Sequence, residues 1–337
     1  MPIALDDVDR RIAAALVQDG RAPWRRIAAA IGEPERSVAR RGARLLESGV
    51  VRVLAIPNPR SGVGREGYVL RVSATPGELR SVAEALAARE DVPWVSILSS
   101  SSACIGEAYV RPGELPGFLA DGLGSMPGVV DYRVEPISRY HRTSSGWRPD
   151  VLTAEQQEQL GELDERANLF SEEVELDQTT RSLLEAMAHD GRATAESLAR
   201  RLSVSKATIG TWIEKARASG QIYIRGVVSP VVLGLATEVH VRLTPRLAEL
   251  DALADRLSSL PMTRVCAVTG ATVTANLVAS SSTALERALR EVAEEFPSVE
   301  PIRLDHVAES IKRSAVRFVD ELPTDVSYAW ADREASA

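Results

Sequence analysis

Arg36, Arg40 and Arg44 recur at four-residue spacing, with Glu35, Ser37 and Arg41 beside them. On a helix that spacing aligns the three guanidinium groups along one face, while Val38, Gly42 and Leu45 fall on another. A guanidinium is a planar fork that grips a phosphate or takes guanine O6 and N7 together, so the stripe suits a polyanionic duplex. A second, milder set stands further along the chain: Lys206, Thr208, Thr211, Trp212 and Lys215, with Ile209 and Ile213 between them. Other chemistries find less support. His141, His189, His240 and His306 lie far apart and form no Cys/His cluster with metal-ligand spacing. Cys104 and Cys266 sit in apolar, strand-like runs and read as small buried hydrophobes, not a disulfide or redox pair. No catalytic residue, metal or cofactor is expected.

The formal charge of −7 over 337 residues speaks, as an average, against a nucleic-acid partner. Its distribution speaks for one. Residues 21–52 hold eight arginines against three glutamates, and residues 192–225 hold seven basic residues against two glutamates. Two basic patches on an otherwise acidic chain attract phosphates while limiting indiscriminate adhesion. The first residues lack a secretory pattern and no apolar run nears 18 residues, so a cytoplasmic protein without membrane contact is expected.

The elements that must position these side chains occur twice. An offset of 171 aligns Leu5-Asp6 with Leu176-Asp177, Asp19-Gly20-Arg21-Ala22 with Asp190-Gly191-Arg192-Ala193, and Ser48-Gly49 with Ser219-Gly220. Within each copy, apolar periodicity predicts three short helices with a tight bend before the third, the helix-turn-helix arrangement. Strand and helix patterns then follow in βαββαβ order, the ferredoxin-like split unit. The expected fold class is α+β, with two winged-type helix-turn-helix headpieces, each followed by a βαββαβ domain. The expected boundaries are headpiece 1–58, βαββαβ domain 62–141, acidic linker 142–175 with a helix near Thr153, headpiece 176–229, βαββαβ domain 233–310 and tail 311–337. The linker's expected role is tethering, and the tail from Pro323 shows little apolar periodicity. Apolar positions on both faces of the last strand, such as Leu304 and Val307, predict association through a sheet face.

Together, Leu5-Asp6, Asp19-Gly20-Arg21, Val38-Ala39-Arg40-Arg41 with Leu45, Gly49-Val50-Val51 and Asn58-Pro59 resemble the leucine-responsive and asparagine-operon regulator family (Lrp/AsnC), in a double-length form. The resemblance implies a transcription factor that binds double-stranded DNA, assembles through its βαββαβ domains and often answers to a small molecule. It also implies an effector loop of Gly-x-x-Asp between the second and third strands of the domain. Here those positions are Ser100 and Ala103 in the first copy, and Gly270 and Val273 in the second. The carboxylate is missing from both, so a conventional amino-acid effector is not expected, and the Ser99–Ser102 stretch reads as a tight turn. The two βαββαβ domains of one chain are expected to pair as a pseudo-dimer and to build a two-chain particle. Two rival classes stand beside this reading: a sirohaem-type tetrapyrrole decarboxylase on the same duplicated fold, and a ligand sensor that does not bind DNA.

Overall fold

The structure, a computed structural model, describes residues 5–58, 65–161, 176–187, 189–299 and 303–326. The first headpiece consists of α1 (Asp7–Gln18), α2 (Trp24–Ile31) and α3 (Glu35–Glu47), followed by strand β1 (Arg52–Pro57). Asp6 caps α1 by accepting from the Asp9 amide at 2.8 Å, satisfying a donor the helix leaves free. Gly32, at φ +70, makes the bend between α2 and α3. The second headpiece repeats this as α7 (Gln178–Met187), α8 (Ala195–Leu202), α9 (Lys206–Ala218) and β6 (Ile222–Val227), with Ser203 at φ +56 where the first has Gly32.

The two headpieces are one body. Strands β1 and β6 pair antiparallel across the repeat, and one apolar core takes Ile12, Leu16, Ile27 and Val38 from the first copy with Leu183, Leu198, Ile209 and Ile213 from the second. Burying each such side chain is worth roughly 1.5–3 kcal/mol. The Asp-Gly-Arg-Ala repeats form the clasp. Gly20 N–H donates to Ile224 O at 3.0 Å, and Gly191 N–H to Val53 O at 2.6 Å. Arg21 donates to the carbonyls of Gly191 (2.7 Å) and Ala193 (3.1 Å), while Arg192 reciprocates to Gly20 (2.7 Å) and Ala22 (3.2 Å). A Cβ at Gly191 would lie within 3.0 Å of the Leu54 backbone, so this approach requires glycine.

The first βαββαβ unit comprises β2 (Glu66–Ala74), α4 (Leu79–Ala88), β3 (Trp94–Leu98), β4 (Ala103–Val110), a short α5 (Leu115–Gly117) continuing as a π-helical turn, and β5 (Val129–Arg142). The second comprises β7 (Thr237–Leu243), α10 (Leu250–Ser259), β8 (Thr263–Thr269), β9 (Thr272–Ala279), α11 (Ser282–Glu295) and β10 (Arg303–Arg313). Each has the ferredoxin-like strand order, and the two join at both edges: β5 pairs with β8 and β10 with β3. The result is a closed eight-stranded barrel, which leaves neither unit an open edge at those joints. Alternation along the strands sends Leu70, Val72, Val239 and Val241 outward under the helices, and Arg71, Glu107, Glu238 and His240 inward.

Three sequence expectations change here. The pairing of the units adds strand edges to the expected sheet faces: Trp94 stacks on His240 and Arg71 bonds Asp305 across the interior, while each edge strand offers free backbone groups that the other copy satisfies. The linker is more than a tether: Trp147, Leu152 and Leu160 enter the headpiece core, and α6 (Ala154–Gln159), with the expected Thr153/Gln156 capping box, packs on α2. The chain after 310 is also structured. β10 continues to Arg313, and β11 (Val316–Val319) and β12 (Leu322–Val326) form a hairpin whose Val316 and Phe318 pack against Leu54, Ile56 and Val227. Residues 162–175 of the linker and 327–337 of the tail lie outside the described residues.

Candidate nucleic-acid interface

In α3, Val38, Gly42 and Leu45 are buried as their spacing requires, leaving the arginine face outward. The arginines divide into two pairs. Arg36 and Arg40 are exposed and have no hydrogen bond or ion pair among the described residues. Arg41 and Arg44 are committed to α1: Arg41 donates to Asp6 at 2.7 Å and Asp9 at 2.9 Å, and Arg44 to Asp9 at 2.7 Å. Asp9 is 4% exposed, so these bonds hold a buried carboxylate and fix α3 on α1. The Asp9 amide and then Arg41 hold the Asp6 carboxyl below its usual pKa. Ser37 is half-buried. Arg25, exposed in the first turn of α2, is a further guanidinium without a partner among the described residues. Its charge was visible in the sequence, but nothing local set it apart.

α9 presents a different surface. Lys206 is paired with Glu196 at 2.9 Å and Lys215 with Asp177 at 3.5 Å, both on exposed side chains. The Thr208 hydroxyl meets that of Ser205 at 2.7 Å in the helix cap, and the Thr211 hydroxyl donates to Ala207 O at 3.2 Å. Trp212 is half-buried against the headpiece core. Its ring therefore closes the core as well as facing outward.

The two loops where an effector would be expected are closed turns. Ala103 and Val273 are buried strand residues, 1% and 0% exposed, so neither offers a contact to a ligand. Ser100 donates to Asp305 at 3.2 Å, and Asp305 also takes Arg71 at 2.6 Å. A carboxylate thus does reach the first loop, supplied by β10 of the other unit, but an arginine occupies it. Gly270, at φ +62, makes the second turn, which the Thr269 and Thr272 hydroxyls close at 2.9 Å. Among the described residues no cluster of His, Cys, Asp or Glu could hold a metal ion, and no helix is long and apolar enough to cross a membrane.

A trihelical unit with an exposed basic third helix is the architecture of helix-turn-helix proteins. An AsnC-type helix-turn-helix domain matches residues 5–46. An uncharacterized HTH-type transcriptional regulator of Pyrococcus furiosus is 33% identical over 127 residues, which cover 37% of this chain and 86% of that protein. The HTH-type transcriptional regulator FL11 of Pyrococcus abyssi is 29% identical over 147 residues, 43% of this chain and 97% of its own length. The chain belongs to the Lrp/AsnC family of helix-turn-helix transcriptional regulators, at about twice the length of those relatives. Over its whole length it is similar to the siroheme decarboxylase NirDL, with a TM-score of 0.59 and 12% identity, covering 96% of this chain and 94% of that one. At that identity the likeness is one of fold.

Proposed function

We propose that the protein is a sequence-specific DNA-binding transcriptional regulator whose two headpieces, locked together on a closed barrel, read the major groove with α3 and α9. The observation that carries this reading is the pair Arg36 and Arg40, exposed and without a partner among the described residues, on the third helix of an AsnC-type headpiece. Two further copies of the headpiece would come from a second chain, giving the particle the family resemblance implies. Selection of bound duplexes from a random pool supplies the operator. On that operator Arg36→Ala and Arg40→Ala should each weaken binding about tenfold, the loss of about 1.4 kcal/mol, and lower the salt slope by about 0.9. No enrichment at low salt, with folding intact, would leave a sensor that does not bind DNA.

The enzyme reading has one observation in its favour. Burial raises the carboxyl of Glu107, inside the barrel, to a pKa of about 7, a value suited to proton transfer. Two observations weigh against a tetrapyrrole substrate. The cavity beside Glu107 measures about 70 Å³, whereas sites for ligands of drug or cofactor size span roughly 300–1,000 Å³. Burial also holds His240 neutral, with a pKa of about 4, so it carries no proton to give near neutrality. A tetrapyrrole absorbance band on the purified protein would favour the enzyme.

A further inference from the structure

An eight-stranded barrel is just wide enough to be filled by side chains or to hold one small ligand. Here the filling is incomplete. The cavity of about 70 Å³ has walls from Trp94, Glu107, Tyr109, Tyr140, Arg264 and Asn276, and Ile56 and Pro57 at the end of β1 close it on the headpiece side. Among the described residues, three polar groups on this wall are unsatisfied. Arg264 is 6% exposed and lies over the Trp147 ring, yet it has no hydrogen bond among the described residues, and its Nε is buried without a partner. The Trp94 Nε1 donor is buried and unpaired. So is the Asn276 Oδ1 acceptor, because the amide nitrogen is taken by Glu238 at 2.9 Å.

The charge around the cavity is also unbalanced. Arg313 is bonded through both terminal nitrogens to Glu238, while Arg225 on β6, 4% exposed and close enough for its charge to act on Arg264, has Nε and Nη1 unpaired among the described residues. Burial, then the charge of Arg313, lowers the pKa of Arg264 to about 9, and burial lowers that of Arg225 to about 10, so both stay cationic at neutral pH. Burial pushes Glu238 up, but Arg313 holds it below its ordinary value, so it is ionised. Glu107 is half-ionised near pH 7. Three guanidinium groups therefore face fewer than two carboxylate charges. A buried cation without a partner is costly, and a charge-assisted bond to an incoming anion offsets that cost.

The unsatisfied groups specify their complement: an anion for Arg264 and the indole N–H, and a neutral donor for the Asn276 oxygen. An ammonium is disfavoured by the surplus of positive charge. At about 10–15 Å³ of void per water-sized position, the space admits about five to seven non-hydrogen atoms. We propose that the barrel cavity binds a small hydroxycarboxylate, its carboxylate held by Arg264 and Trp94 Nε1 and its hydroxyl donating to Asn276 Oδ1. This site is separate from both strand-connecting turns. Ile56 and Pro57 of β1, the strand that pairs the two headpieces, form part of its wall.

The test is calorimetry and thermal unfolding of the full chain with lactate and 2-hydroxybutyrate. At about 10 mM, mass action raises the Tm measurably even for a millimolar site. Propionate, which lacks the hydroxyl, should bind at least tenfold more weakly, because it leaves the Asn276 oxygen unpaired. Uncharged lactamide should not bind. Arg264→Met should abolish binding without lowering the Tm of the unliganded chain, since it removes an unsatisfied buried charge. Trp94→Phe should keep the ring against His240 and weaken binding severalfold. Three results would each overturn the proposal: no shift with either acid, an equal shift with lactamide, or undiminished binding by Arg264→Met. The DNA-binding variants of α3 leave this readout untouched, so failure here and failure of the regulatory reading are distinguishable.

Discussion

The two headpieces share a fold, a core and a reciprocal clasp, yet their third helices are built on opposite plans. With the offset of 171, Arg36 and Arg40 of α3 become Ala207 and Thr211 of α9, and Arg41 and Arg44 become Trp212 and Lys215. Asp9, which anchors two of the arginines, becomes the buried Thr180, hydrogen-bonded to Gln221. The first copy thus docks its third helix by ion pairs to a buried carboxylate and leaves two cations without a partner among the described residues; the second docks with an aromatic ring and neutralises its lysines on nearby acids. The interior shows a matching exchange. Trp24 and Gly42 in the first copy stand where the second has Ala195 and Ile213. A duplicated unit can therefore keep its backbone while exchanging both core volumes and surface charge, provided each exchange is made in pairs.

The volume exchange gives the largest expected effect. A Cβ at Gly42 would lie 2.4 Å from the Trp24 ring, so Gly42→Ile alone overpacks the site and should cost about 3 kcal/mol. Adding Trp24→Ala vacates that space in the manner of the second copy and should recover at least half of the loss. The double variant also forfeits the contact of Arg192 with the indole, whose guanidinium carbon lies 4.2 Å from the ring centre, so recovery should be incomplete. Urea unfolding of the single and double variants measures this. If the double variant were less stable than both singles, the two copies would not be exchanging volume.

Next in size is the charge exchange. Ala207→Arg with Thr211→Arg transplants the outward pair of α3 onto α9, at two exposed positions outside the headpiece core. The variant should gain up to about 1.8 in salt slope, about 0.9 per phosphate neutralised, with stability unchanged. By contrast, Lys206→Ala and Lys215→Ala should change the slope less than Arg36→Ala does, because both lysines already have acidic partners. A lysine variant whose slope fell as far as that of Arg36→Ala would remove the asymmetry.

The smallest effect lies in the bends. Ser203 holds a left-handed conformation that Gly32 adopts freely, at a cost of roughly 1–2 kcal/mol, part of which a glycine would return through its greater freedom when unfolded. Ser203→Gly should stabilise the chain by up to about 1 kcal/mol, and Gly32→Ser should destabilise it by a similar amount. Opposite signs in thermal unfolding are the expected result, and equal signs would mean that the two bends are not equivalent.

What the sequence determined by itself is what periodicity encodes. The repeat is legible as self-similarity at an offset of 171, and the buried Val38 and Leu45, the outward arginines, the capping box at Thr153 and the βαββαβ order are legible because each rests on residues within a turn or a pleat of one another. The tertiary structure alone decided which guanidinium groups are free. Arg36 and Arg44 are identical in type and lie on one helix, but only Arg44 comes within reach of Asp9, 35 residues away in sequence. The same holds for the closed barrel, for Trp147 inside the headpiece core, for the hairpin after Arg313, and for the unsatisfied Arg264. Alternating strands are compatible with an open face or a closed ring, and a basic residue with a salt bridge or a ligand. The choice is made by free energies of pairing and desolvation between groups that only the folded chain brings together.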